Sequence, residues 1–272
     1  MLVQIPPTQK TQKELNITWE ALPSEFILPD DPVENIQQPA LASALTDALG
    51  ATQRIQPQML IASNFGLVAT VNKKIVVKAP DWLYVTQVQP VASGVIRRSY
   101  TPHLEGDPVS VVMEFLSDTE NGELSIRSTP PYGKLYFYEH ILKVPTYITY
   151  DPYEVILEVR CLENEKYSLM TADDNGRYWI EQLELFLGVW PGERLCQNMN
   201  WLRWWDKEGN LLLWSSEQAE QERQRAEQER QRAEQERQRA EQERQRAEQE
   251  RQRAEILAAK LRELGVDPDG IV

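Results

Sequence analysis

Two acids stand at the ends of apolar runs in the middle of this chain. Ile75-Val76-Val77-Lys78 leads through Ala79-Pro80 to Asp81, and Val109 to Val112 leads into Glu114. Both runs are rich in β-branched residues, which favour strands. Two such strands lying side by side would bring the carboxylates together across a sheet. A carboxylate pair is a hard-oxygen donor set, suited to Mg²⁺ completed by water. Spacing alone favours a plainer reading, in which the acids cap strands or face solvent.

Several elements must position these acids. Leu41, Leu45 and Leu49 recur at intervals of four, predicting a helix over Ala40–Leu49 that Gly50 ends. Leu67–Val71 and Ile75–Val77, separated by Asn72-Lys73-Lys74, predict a β-hairpin leading to Asp81. Residues 86–108 predict a long loop, in which Arg97 and Arg98, with Lys78, offer either a small anion-binding surface or ordinary solvated charge. Leu135, Tyr138 and Leu142 repeat at three and four, predicting a helix opened by Lys134. A lysine there opposes the positive end of the helix dipole, a mild cost that invites another reason for its presence. Strands are expected at Thr146–Tyr150 and Glu154–Leu162. Tyr167–Thr171 is expected to pair with Arg177–Ile180 across the Asp174-Asn175-Gly176 turn. Helices alternating with strands imply an α/β or α+β domain around a mixed sheet.

Composition narrows the class. The chain has 272 residues, 41% of them hydrophobic, with a net charge of −13. About −3 lies from Glu217 onward, leaving −10 on residues 1–216. So acidic a body argues against broad, nonspecific phosphate binding, although not against a local basic patch. Cys161 and Cys196 are the only cysteines, which fits a reducing interior, and with two histidines they form no zinc-like spacing. No basic segment precedes an apolar run at the N-terminus, and no apolar stretch is long enough to span a bilayer. A cytoplasmic protein with no membrane partner is expected.

The organisation reads as an N-terminal arm (1–39), a main domain (40–216), a charged helix (217–264) and a short tail (265–272). Lys13–Leu22 of the arm predicts a short helix, stopped by Pro29-Asp30-Asp31-Pro32. Residues 179–214 hold six of the eight tryptophans. Trp201–Trp205 and Leu211–Trp214 predict a hairpin whose rings pack across strands. From Ala219, Ala-Glu-Gln-Glu-Arg-Gln-Arg repeats five times. With one alanine per heptad and no second apolar position, the repeat predicts a solvated single helix rather than a coiled coil. Ile256, Leu257, Leu261 and Leu264 give its end a short apolar stripe that could dock or dimerise.

Several of these features together resemble the Uma-type restriction endonuclease family, a bacterial group within the PD-(D/E)XK nuclease superfamily. They are Pro80-Asp81 after a hairpin, Met113-Glu114-Phe115-Leu116-Ser117 on the next strand, and Lys134-x-x-x-Tyr138 before Val144-Pro145 and Asp151-Pro152. The resemblance spans roughly residues 40–190 and extends, in one subgroup, to the tryptophan segments and the heptad tail. It implies a restriction-endonuclease-like fold, a mixed β-sheet flanked by helices, and a DNA endonuclease using Mg²⁺ or Mn²⁺. Asp81 and Glu114 match the metal-binding acids, with the Phe115 carbonyl as a further ligand. The lysine usual two residues after the glutamate is replaced by Leu116, and Lys134 matches the family's substitute on the following helix. The implied partners are DNA and a second copy of the chain, since a duplex has two strands. Two other functions fit the same residues: a nuclease fold that has lost catalysis and serves as a binding or regulatory module, and a structural or interaction protein acting through its C-terminal helix.

Overall fold

The computed structural model describes residues 15–23, 26, 36–116 and 124–265. Much of the expected arm, the stretch 117–123 and the tail from 266 lie outside them. The chain divides into two compact units, Met1–Ser215 and Ser216–Val272. The first unit holds β1 (Ile17–Thr18), α1 (Gln37–Ala51), β2 (Leu60–Ala62), β3 (Gly66–Val71), β4 (Lys74–Lys78), β5 (Trp82–Val85) and β6 (Ser99–Tyr100). There follow β7 (Val111–Phe115), α2 (Lys134–Tyr136), β8 (Thr146–Asp151), β9 (Ile156–Glu163), β10 (Lys166–Leu169), β11 (Tyr178–Ile180), β12 (Leu185–Arg194) and β13 (Gln197–Trp205).

A six-stranded sheet in the order β10-β9-β8-β7-β5-β2 forms the middle layer, and in it only β7 and β8 run parallel. This is the mixed α/β fold expected from the sequence. Side chains alternate along each strand, so each face of the sheet has its own core. Trp82, Met113, Phe115 and Tyr150 pack with α1 and the β11-β12-β13 sheet. Leu83, Val112 and Tyr147 pack on the other face with Leu67, Phe137, Tyr138 and Ile141.

Tryptophans hold α1 in place. Leu41, Leu45 and Leu49 are buried with Ala42, Ala44 and Ala48, whose small side chains let the helix approach closely. Trp204 and Trp214 donate their indole N–H groups to the Leu45 and Ala44 carbonyls at 3.2 and 3.1 Å, and Trp82 donates to the Thr46 hydroxyl at 3.0 Å. The assignment of the tryptophans to packing holds.

Several local expectations give way. In the described part of Lys13–Leu22, Ile17 and Thr18 form a strand that pairs with Val71 and Thr70. β-Branched residues beside an available strand edge prefer that outcome to a helix. Residues 86–108 are tethered, with β6 lying parallel to β3 and Val88 bridged to Gly106. Strand β10 turns back on β9 instead of pairing with β11, which joins β12. The turn responsible, Asn164-Glu165, takes two positive φ angles (49° and 64°) without a glycine to advertise it. The Asp173–Arg177 turn does form, its carboxylate accepting two backbone N–H groups, but it links two sheets. Similarly, β13 pairs along its length with β12, and Leu211 adds one bridge to Trp205.

Helix α3 (Ser215–Glu263) runs through the second unit. Every residue from 221 to 257 is exposed. The glutamine amides of the repeat donate to glutamates four residues back, as in Gln224 to Glu220 at 2.9 Å and Gln231 to Glu227 at 3.0 Å. Arg223–Glu220 and Arg237–Glu234 add ion pairs at a spacing of three. Such pairs sustain a helix without a buried face. Among the described residues, no helix is long and apolar enough to cross a membrane.

Candidate functional site

In the antiparallel pairing of β5 with β7, Trp82 lies opposite Met113, which sets Asp81 opposite Glu114. Strand alternation then puts both carboxylates on the face that carries Leu83 and Val112. Asp81 Oδ2 accepts the Phe115 N–H at 2.5 Å, which fixes its orientation. The two acids found from their spacing are therefore neighbours across one sheet.

Glu114 is fully buried. Its Oε2 accepts a hydrogen bond from Lys134 Nζ at 3.0 Å, and its Oε1 accepts one from the Tyr138 hydroxyl at 2.8 Å. Burial pushes the Glu114 carboxyl up to about 8. The Lys134 ammonium is the strongest influence against that rise, while the Asp81 carboxylate adds to it. Desolvation outweighs the ion pair here because the whole carboxylate is out of water. Tyr138 is held well above its ordinary value, first by burial and then by the Glu114 charge, so its phenol stays a donor.

Lys134 owes its position to the glycine before it. A Cβ on Gly133 would stand 2.1 Å from the Ser125 carbonyl oxygen, and the Gly133 N–H donates to the Arg127 carbonyl at 3.0 Å. This close contact packs the start of α2 against the Ser125–Arg127 segment. After one turn the helix widens into a π-helix over Phe137–Ile141, with the Leu142 N–H bonded to the Phe137 carbonyl at 2.9 Å. Such widened turns recur at functional sites. The periodicity that predicted an ordinary helix carries no signal of it.

The sequence reading missed Gln38. Its side-chain Nε2 donates to the Phe115 carbonyl at 2.6 Å, and it is more than nine-tenths buried. Both polar groups of the Phe115 residue are thus engaged, the N–H by Asp81 and the carbonyl by Gln38. A signal was present: Gln38 falls three, seven and eleven residues before Leu41, Leu45 and Leu49, a polar residue in phase with an apolar stripe. Gln38 and Asp81 also share a cavity of about 250 Å³, lined further by Ser43, Ser63 and Asn64. Arg97 and Arg98 do not join the site. Arg97 pairs with Glu105 at 2.5 Å and donates to the Gln89 carbonyl, and Arg98 donates to the Phe26 carbonyl.

The donor chemistry fits a small hard cation. The Asp81 charge raises the proton affinity of Glu114, so the pair gains by sharing a cation, and the Phe115 carbonyl oxygen keeps a second lone pair beyond the one Gln38 engages. Among the described residues, no group of three or more His, Cys, Asp or Glu side chains converges on a metal position. A bound ion would therefore complete its coordination with the Phe115 carbonyl and water, as Mg²⁺ commonly does.

A family model described as "Uma2: Putative restriction endonuclease" matches residues 25–195. No curated protein matches the chain.

Proposed function

Since the chain belongs to the Uma2 putative restriction endonuclease family, we propose that it is a divalent-metal-dependent endonuclease that hydrolyses phosphodiester bonds in DNA. One observation supports this reading most. Asp81 and Glu114 face each other on adjacent strands, with the Lys134 ammonium 3.0 Å from Glu114. Asp81, Glu114 and the Phe115 carbonyl would hold Mg²⁺ or Mn²⁺. When bound, the ion supplies Lewis-acid charge and a water of lowered pKa.

The chain's own residues do the rest. Lys134 stands in for the lysine absent at Leu116, keeping positive charge beside the scissile phosphate and orienting the attacking water. Tyr138 fixes Glu114 Oε1, so the carboxylate presents one geometry. Asp81, anchored on the Phe115 N–H, holds the other acid in register. Cutting both strands of a duplex would take a second copy of the chain.

The test is cleavage of supercoiled and linear DNA with Mg²⁺ or Mn²⁺ by the intact chain, Asp81→Ala and Glu114→Ala. Metal-dependent cutting that disappears in both variants is the expected result. An intact chain that cuts no more than its variants overturns the proposal. Leu116 at the usual lysine position would then favour a nuclease fold that binds without cleaving.

A further inference from the structure

Lys73, Lys74 and Lys78 lie within six residues, and no acid occurs between Asn72 and Pro80. On a body of net charge −10, this hairpin is a local exception. Asn72 and Lys73 form its two-residue turn, both at positive φ, and Lys74 and Lys78 lie on β4. Residues four apart on a strand share a face, about 13 Å from one another.

Strand β4 ends the β1-β3-β4 order of its sheet, so among the described residues its far edge has no strand partner. Strand β4 lines a cleft of about 390 Å³ together with Pro130, Pro131 and Tyr132. Both segments lie close along the chain to residues of the candidate site. Lys78 stands three residues before Asp81, and Tyr132 stands two before Lys134. The lining joins two cations to an apolar strip of Val76, Val77, the prolines and the tyrosine.

We propose that this cleft leads one strand of the nucleic acid to the Asp81–Glu114 site. Lys74 and Lys78 meet its phosphates, and Pro130, Pro131 and Tyr132 meet its sugars and base edges. The inference rests on the nuclease reading and adds the substrate's path. A polyanion approaching an acidic body is repelled except where cations cluster, so this hairpin is the favourable approach. Lysines on an outer strand also serve a second purpose, discouraging edge-to-edge pairing. Charge reversal separates the two roles, because glutamate discourages pairing as lysine does but repels phosphate.

The experiment is fluorescence anisotropy of a labelled duplex with the full chain, in Ca²⁺, across a salt series. Lys74→Glu/Lys78→Glu is compared with the wild type, with the neutral pair Lys74→Gln/Lys78→Gln, and with a control reversal, Lys166→Glu/Lys207→Glu. The cleft reversal is expected to weaken binding at least tenfold and to lower the log–log salt slope by about 2, as for two lost phosphate contacts. The neutral pair should lie between it and the wild type, and the control should shift binding less than threefold. An unchanged affinity in the cleft variants overturns the path, as does an equal loss in the control. A wild type that cuts DNA yet ignores the cleft reversal removes the path and leaves the nuclease. A wild type that neither binds nor cuts removes both.

Discussion

The Gln38 side chain donates to the Phe115 carbonyl at 2.6 Å across 77 residues of chain, tying the first turn of α1 to the strand that bears Glu114. Phe115 is also the residue whose N–H holds Asp81. Movement of α1 is therefore felt at both candidate metal acids.

Gln38→Ala should weaken metal binding by about 10- to 100-fold, the range typical for groups that orient a ligand from behind. It should also cost about 1–3 kcal/mol of stability, as a buried acceptor loses its donor. Calorimetric titration with Mn²⁺, beside urea denaturation of the same samples, checks both. An unchanged Mn²⁺ affinity would show that the Phe115 carbonyl needs no such support.

Glu114 predicts a pH dependence for the metal-free protein. Its carboxyl rises from an ordinary 4.5 to about 8 on folding. Between those values the folded chain keeps a proton that the unfolded chain has released. Stability therefore falls as pH rises through that window, at up to about 1.4 kcal/mol per unit from this group, and levels off above it. Glu114→Gln removes the dependence. Urea midpoints at pH 5 and pH 8 in a chelator should diverge for the wild type and converge for the variant; parallel shifts would refute the assignment.

Gly133→Ala should destabilise the first unit by about 1–3 kcal/mol, because a methyl group meets the Ser125 carbonyl oxygen. It should also displace Lys134 and so reduce any metal-dependent cleavage. Thermal unfolding that matches the wild type would show that the Ser125 segment yields freely.

Helix α3 should stay helical without association. A peptide of residues 215–263 is expected to show circular dichroism at 222 nm independent of concentration, with partial loss in 1 M salt as ion pairs are screened. Helicity that rises with concentration would point instead to self-association through Ile256, Leu257, Leu261 and Leu264.

Much of this was legible in the sequence because the signals were local. The hairpin before Asp81, the strand to Glu114, the stripe of α1 and the heptad helix all follow from periodicity within a dozen residues. The partners of distant strands did not. Nothing near Tyr167 indicates that β9 rather than β11 will receive it, and the Asn164-Glu165 turn lacks a glycine. Gln38 shows in sequence only as a polar residue in phase with the α1 stripe, since its partner is a carbonyl 77 residues away. Arg97 and Arg98 look like free surface charge in sequence, yet both donate within the fold.

The repeat of α3 has a geometric consequence of its own. Seven residues of α-helix advance about 10 Å and fall only about 20° short of two full turns. Adding or deleting a whole repeat therefore changes the separation between the helix start and the Ile256–Leu264 stripe in fixed steps, while barely rotating that stripe about the axis. An exposed helix of identical heptads is a ruler whose length can drift between generations with little change in the direction its apolar end faces.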